Sequence, residues 1–265
     1  MSQSPVPLSG TNVMKSSHGD AVLDRAFQLL RAFSAERPQL TLAEMVARSG
    51  LPRSTAHRLA CQLERHGALE RGDEGWRLGV GLFELGQLVT RRQRLRDLAL
   101  AHMEDLYEAT RATVHLAVLE GDDVLYVEML SGHRKVPTPS RVGGRMPAHC
   151  TGVGKALLAY SDEACSRLAR ATEPLAAVTA RSITDPGRLY AELLDVRRRG
   201  IAVDREEAAA NLMCLAAPLL VAAGVAEAGL SVSMPARGRL QPRDVEPALR
   251  AAAQRLGRTL RQART

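Results

Sequence analysis

Aromatic side chains are scarce in this 265-residue chain: three Phe, four Tyr and one Trp make up 3% of it. Its cores must therefore rest on Leu, Val and Ala, for which an apolar content of 45% leaves ample supply. Lysine is nearly missing too, with 3 against 33 arginines. The formal net charge of +7 is thus an arginine charge, suited to a polyanionic partner. Only four cysteines occur, at 61, 150, 165 and 214, and no two have the spacing of a zinc knuckle or a redox dithiol. Disulfide scaffolds and zinc modules are excluded, and free thiols are expected. No apolar run approaches the length that spans a bilayer. No apolar stretch follows a basic start, as in a signal peptide. A cytoplasmic protein with no membrane partner is expected. No repeat recurs, and the length suits two ordinary domains.

The richest local signal runs from Thr41 to Arg71. Thr41 and Glu44 have capping-box spacing, in which each side chain accepts from the other's free backbone N–H. Leu42, Met45 and Val46 then share one helical face. Gly50 stands where that helix must stop and the chain reverse, a place for positive φ. Pro52 is expected to be the first residue of a second helix, which buries Ala56, Leu59 and Leu63. Its other face leads with Arg53, Ser54, Thr55, His57 and Arg58, the donors that a major-groove recognition helix needs. Arg53 or Arg58 is the candidate for base edges, because bidentate Arg–guanine is the commonest specific contact. Ser54 and Thr55, near the helix start, are candidates for phosphates. Residues 68–71 and 76–78 around Gly72-Asp-Glu-Gly75 read as strand, turn and strand. That is a wing, with Trp76 against the core and Arg71 or Arg77 near phosphates. Between Asp20 and Leu78 nine arginines meet eight acidic residues, so placement rather than total charge carries the reading of duplex-DNA binding.

The organisation predicted from pattern is a flexible tail over 1–18, a winged helix-turn-helix over 19–81, a linker helix over 82–94 and a second domain over 95–265. A helix over 21–33 turns Val22, Ala26, Leu29, Leu30 and Phe33 to one side. In the second domain a helix over 95–110 precedes a hairpin of strands 113–119 and 124–130. Helices follow over 152–160 and 162–170. Asp185 and Pro186 stand as N-cap and N1 of a helix to about 199. Strands 212–221 and 228–234 precede a helix opened by Pro242. Strands and helices without strict alternation indicate an α+β domain.

Polar residues are sparse within these strands. Ser231 and Ser233 lie two apart and so share a face. With the Cys214 thiol and a Gly-rich segment nearby, they are candidates to line a pocket for a small polar molecule. Gly152-Val-Gly-Lys155 fails as a phosphate loop, because position 149 is His where Gly is required and Ala156 replaces Ser or Thr. His115, His133 and His149 match no ligand set and read as structural. No metal, cofactor or catalytic residue is expected.

Five segments occur in a characteristic order: Gly50-Leu-Pro-Arg-Ser-Thr-Ala-His-Arg-Leu59, Arg145-Met-Pro-Ala-His-Cys-Thr-Gly-Val-Gly-Lys-Ala-Leu-Leu-Ala159, Asp204-x-Glu-Glu, Cys214-x-Ala-Ala-Pro218 and Ser231-x-Ser-x-Pro235. From residue 20 onward the chain resembles the IclR family of bacterial transcriptional regulators. The resemblance implies a GAF-like effector-binding domain with an antiparallel sheet behind the winged helix and linker. It implies dimers or tetramers on operator DNA, controlled by a small-molecule effector, and more often repressing than activating catabolic genes. It places an effector pocket at Met146, Gly152, Val153, Asp204, Cys214, Ser231 and Ser233, with the Gly152 and Val153 N–H groups offered to a carboxylate. The family's usual glycine three residues before the pocket cysteine is Asn211 here, and Asn tolerates the left-handed region. Two other readings stay open. One is an enzyme acting on a small acid through Cys214 or Asp204, although the sequence shows no base partnered with Cys214. The other is an architectural DNA-binding protein with no effector.

Overall fold

The computed structural model describes residues 22–132 and 138–264. The tail expected over 1–18, and His133, lie outside them. The described residues form two compact units that meet in sequence between Gln93 and Arg94.

The first unit contains α1 (Val22–Leu30), β1 (Gln39–Leu40), α2 (Leu42–Ser49), α3 (Arg53–Arg65), β2 (Leu69–Gly72), β3 (Gly75–Leu78) and α4 (Val80–Gln87). The capping box opens α2: the Glu44 N–H donates to Thr41 Oγ1 at 3.2 Å, and the Thr41 N–H to Glu44 Oε2 at 2.9 Å. Gly50 ends it at φ 68°. Helix α3 starts one residue later than expected. Pro52 is its N-cap at ψ 142°, because a fixed φ leaves ψ free to stay extended. Ala56, Leu59 and Ala60 are buried, whereas Leu63 is only half-buried. They pack with Leu29, Leu40, Met45, Leu69 and Trp76 in one core. Helix α1 is shorter than its apolar spacing suggested, and Val22 is exposed. The wing strands β2 and β3 gain a third, β1, too short to detect in sequence, in the order β1-β3-β2. Gly75 is obligatory at this crossing: a Cβ there would lie 2.4 Å from the Leu40 carbonyl oxygen. Asp73 and Glu74 form the exposed tip of the wing. Helix α4 buries none of its residues and exposes Val80, Phe83 and Leu85.

Helix α5 (Thr90–Thr110) leads the chain into the second unit, and the break in helix falls at Leu88-Val89 rather than near 95. There follow β4 (Thr113–Glu120), β5 (Asp123–Leu130), β6 (Arg145–Pro147), a 3-10 turn (Ala148–Cys150), α6 (Gly152–Leu158), α7 (Asp162–Leu168), α8 (Pro186–Arg199), β7 (Ala202–Arg205), β8 (Leu212–Ala222), β9 (Val225–Pro235) and α9 (Pro242–Gln262). Asp185 caps α8, its carboxylate accepting from the Arg188 N–H at 2.6 Å. Six strands form one antiparallel sheet in the order β6-β5-β4-β9-β8-β7, the α+β arrangement expected. Side-chain alternation splits its two faces. Val114, Leu116, Leu215, Leu230 and Val232 pack with α5 and α9. Ala117, Ala202 and Ala216 face α6 and α8. Small residues on that second face let α6 approach the sheet, and this is where the polar residues gather.

Candidate functional site

The proposed DNA-reading residues lie on the solvent side of α3. Arg53, Ser54, His57 and Arg58 are exposed and Thr55 half-buried, opposite the buried Ala56 and Leu59. Neither Arg53 nor Arg58 has a hydrogen-bond or ion-pair partner among the described residues. The wing arginines are already engaged. Arg71 lies 4.6 Å from the Trp76 ring centroid and 3.6 Å from a Glu64 oxygen. Arg77 pairs with Glu70 at 3.0 Å. The Glu70 carboxyl also accepts from the Val80 N–H at 2.8 Å, and this bond, then Arg77, holds it below the usual carboxylate range. Glu70 thus ties the wing to the start of α4.

In the second unit all seven candidate pocket residues, Met146, Gly152, Val153, Asp204, Cys214, Ser231 and Ser233, line one cavity of about 10 Å³. That is room for about one water, so a metabolite enters only if the walls part. Strand register assembles the floor. Asp204 is paired across strands with Cys214, Cys214 with Ser233, and His115 with Ser231. The N-terminal end of α6 forms the facing wall. Gly152 sits so close to β8 that a Cβ would lie 3.2 Å from the Cys214 carbonyl oxygen. Gly154 is tighter still, since a Cβ there would meet the Ala148 carbonyl oxygen at 2.1 Å. The glycines that imitate a phosphate loop therefore serve close packing. Asn211 adopts φ 61°, so the turn into β8 keeps the left-handed residue usually supplied by glycine.

Two polar networks meet at the cavity. The first is a chain of neutral groups: Cys214 Sγ lies 2.9 Å from Ser233 Oγ, which lies 3.5 Å from His115 Nδ1, and His115 Nε2 lies 2.8 Å from Ser140 Oγ. Burial holds the His115 imidazolium pKa down at about 4, so the ring is neutral. Burial likewise pushes up the Tyr126 phenol and the Cys214 thiol, the latter raised further by Asp204. The second network is ionic. Lys155 is fully buried on α6 and pairs with Glu207 at 2.7 Å and with Glu192 of α8. The Glu207 N–H donates to Asp204 Oδ1 at 2.7 Å. Asp204 Oδ2 and Glu207 Oε2 are buried without a partner. Burial, with the neighbouring Glu207 charge, pushes the Asp204 carboxyl up to about 7.

The family description "Bacterial transcriptional regulator IclR C-terminal" matches residues 87–258, and "IclR helix-turn-helix domain" matches residues 22–73. The chain belongs to the IclR family. Among IclR relatives, HTH-type transcriptional regulator BhcR of Paracoccus denitrificans is 34% identical over 223 residues, 83% of this chain and 80% of BhcR. The transcriptional repressor IclR of Escherichia coli is 31% identical over 220 residues, 80% of this chain and 79% of that protein. Among solved structures, an IclR homologue of Microbacterium hydrocarbonoxydans complexed with 4-hydroxybenzoate aligns with a TM-score of 0.81 at 36% identity. The match covers 91% of this chain and all of that one, at 100%. The Thermotoga maritima IclR aligns at 0.73 with 30% identity, covering 90% of this chain and 98% of the other.

As an IclR-family regulator the chain has a helix-turn-helix domain and a C-terminal domain built on an antiparallel sheet, joined in a DNA-binding transcriptional regulator. Sequence reasoning alone did not find His115, Tyr126 and Ser140 at the cavity, nor the Lys155–Glu207 pair beside Asp204. His115, which reads as structural in sequence, lines the cavity beside Ser231. His149 lies apart, bonded to the Ala176 carbonyl at 2.8 Å. Among the described residues no group of His, Cys, Asp or Glu is arranged to hold a metal ion, and no helix is long and apolar enough to cross a membrane.

Proposed function

We propose that this regulator is a cytoplasmic, repressing dimer or tetramer whose operator affinity is set by a small carboxylic acid bound at the Asp204–Cys214–Ser233 cavity. The observation that carries the effector reading is the convergence of seven residues, from four separate segments of sequence, on one cavity lined by both polar and apolar groups. A relative bound to 4-hydroxybenzoate supports an organic acid, and buried neutral donors suit one with a second polar group. Arg53 and Arg58, exposed and unengaged, are proposed to read base edges. Ser54, Thr55 and His57 are proposed to hold phosphates or flanking groups. Arg71 and Arg77, already paired within the wing, play a smaller part. Effector binding parts the walls of the cavity and shifts the population between arrangements of two recognition helices, whose spacing must match the half-sites.

A catalytic reading has one observation in its favour: His115 is a single hydroxyl removed from Cys214. Chemistry argues against it. A nucleophilic cysteine must be a thiolate, and burial here keeps the proton on sulfur while His115 is held neutral. Two titrations test the proposal. A near-palindromic duplex from the region beside the protein's own gene is expected to bind well above random duplex at moderate salt. A thermal-shift series of small aromatic and hydroxy acids is expected to stabilise the protein and alter that affinity. Equal affinity for every duplex, or no stabilisation by any acid, defeats the corresponding half.

A further inference from the structure

We infer that Asp204 works as a protonated hydrogen-bond donor, so that an anionic effector enters the cavity together with a proton. The inference rests on the effector reading above and goes beyond it to the chemistry of recognition. Asp204 is fully buried on β7. The charged and titratable groups around it are Glu207 on the β7–β8 turn, Lys155 on α6, Glu192 on α8, Cys214 on β8, Tyr126 on β5, His115 on β4 and Cys150 on the 3-10 turn, whose thiol burial pushes up. Lys155 is the cation among them, and its ammonium is shared between Glu207 and Glu192, with no ion pair to Asp204. Cys214, Tyr126 and His115 are neutral. One buried ammonium thus serves two carboxylates already, and a third would stand uncompensated.

Asp204 Oδ1 accepts the Glu207 N–H, the Ala208 N–H also favours the charged form, and Oδ2 has no hydrogen-bond partner. A buried carboxylate with a bare oxygen and no paired cation, with Lys155 pulling only from a distance, is costly, and a proton removes the cost. That proton belongs on Oδ2, the idle atom of a residue that lines the cavity. A ligand carboxylate then meets a donor, where an ionised Asp204 would repel it.

The test uses the full-length protein and 4-hydroxybenzoate as probe. The carboxyl titrates near 7, so affinity should fall about ten-fold between about pH 6 and about pH 8. Calorimetry at about pH 8, in two buffers of different ionisation heat, should register close to one proton taken up per site. Asp204→Asn keeps an N–H donor at every pH and should bind with a flat profile. A wild-type affinity that is unchanged or rises with pH overturns the inference and leaves the effector reading standing.

Absence of binding at either pH strikes at the effector reading, and folding stability alone then decides this one. The unfolded chain releases the Asp204 proton near 4 while the folded one keeps it to about 7, so wild-type stability should decline between those values. Asp204→Asn lacks that decline, and its melting temperature should gain on the wild type from about pH 5 to about pH 8. An unchanging difference means an ionised Asp204 and ends the inference.

Discussion

Arginines of the first unit differ chiefly in what already holds them. Arg53 and Arg58 stand open on α3, while Arg71 leans on Trp76 and Glu64, and Arg77 on Glu70. Charge reversal at Arg53 or Arg58 is expected to weaken operator binding about 10- to 100-fold in a fluorescence titration, whereas Arg71→Ala or Arg77→Ala costs several-fold at most. Comparable losses at all four would show that the wing grips as firmly as the helix. This contrast was half legible in sequence. Helical period alone put Arg53 and Arg58 on the face opposite Ala56 and Leu59, but the wing pairings depend on strand register. Asn211 was legible from its chemistry, and its φ of 61° bears out the expected tolerance. Asn211→Gly should leave the melting temperature nearly unchanged, while Asn211→Val should destabilise by about 1–2 kcal/mol in chemical denaturation, the cost of a left-handed β-branched residue. His115 was illegible because its partners Ser140 and Ser233 lie 25 and 118 residues away in sequence. No local pattern brings such residues together.

Helix α6 shows how much an element depends on what it lies against. Its Gly-Val-Gly-Lys run reads in sequence as a failed phosphate motif, and packing explains its glycines and lysine: Gly152 lies against β8, Gly154 against the 3-10 turn, and Lys155 between Glu192 and Glu207. Gly154→Ala forces a Cβ into the Ala148 carbonyl and should cost at least about 2 kcal/mol, since backbone on both sides must shift. Lys155→Met removes the cation that Glu207 needs and should destabilise by about 3–5 kcal/mol. A second change, Glu207→Gln, should restore a substantial part of that loss. Urea denaturation of the two single variants and the double variant closes the cycle, and simple additivity would mean the pair is not coupled. Strands β6 and β7 escaped sequence reading because three or four residues carry too little periodicity without a hairpin turn such as the one that marks β2 and β3. Yet β7 holds Asp204 in register with Cys214. The longer elements were visible from caps and turns: Thr41, Gly50, Asp185 with Pro186, and Pro242 each mark an end that the structure keeps within a residue or two.

For the whole molecule, the first unit leaves large apolar side chains exposed: Leu23 and Phe27 on α1, and Val80, Phe83 and Leu85 on α4. Burying such side chains is worth roughly 1.5–3 kcal/mol each, which accords with a second copy covering them in the proposed dimer. Phe83→Glu with Leu85→Glu should shift the protein toward monomer in analytical ultracentrifugation and weaken binding to a two-half-site operator more than to a single half-site. An unchanged sedimentation coefficient would rule these helices out of the interface. The acidic hairpin tip carries a consequence of its own for how this regulator searches a genome. Asp73 and Glu74 project from the reading module as two negative charges, and any backbone they approach repels them. Loose, sequence-blind adhesion is expected to weaken on that account, with discrimination left to α3. Lysines at both positions should tighten the grip on arbitrary duplex and steepen its salt dependence by about two phosphate equivalents, a gain in stickiness that erodes the margin by which the true operator stands out.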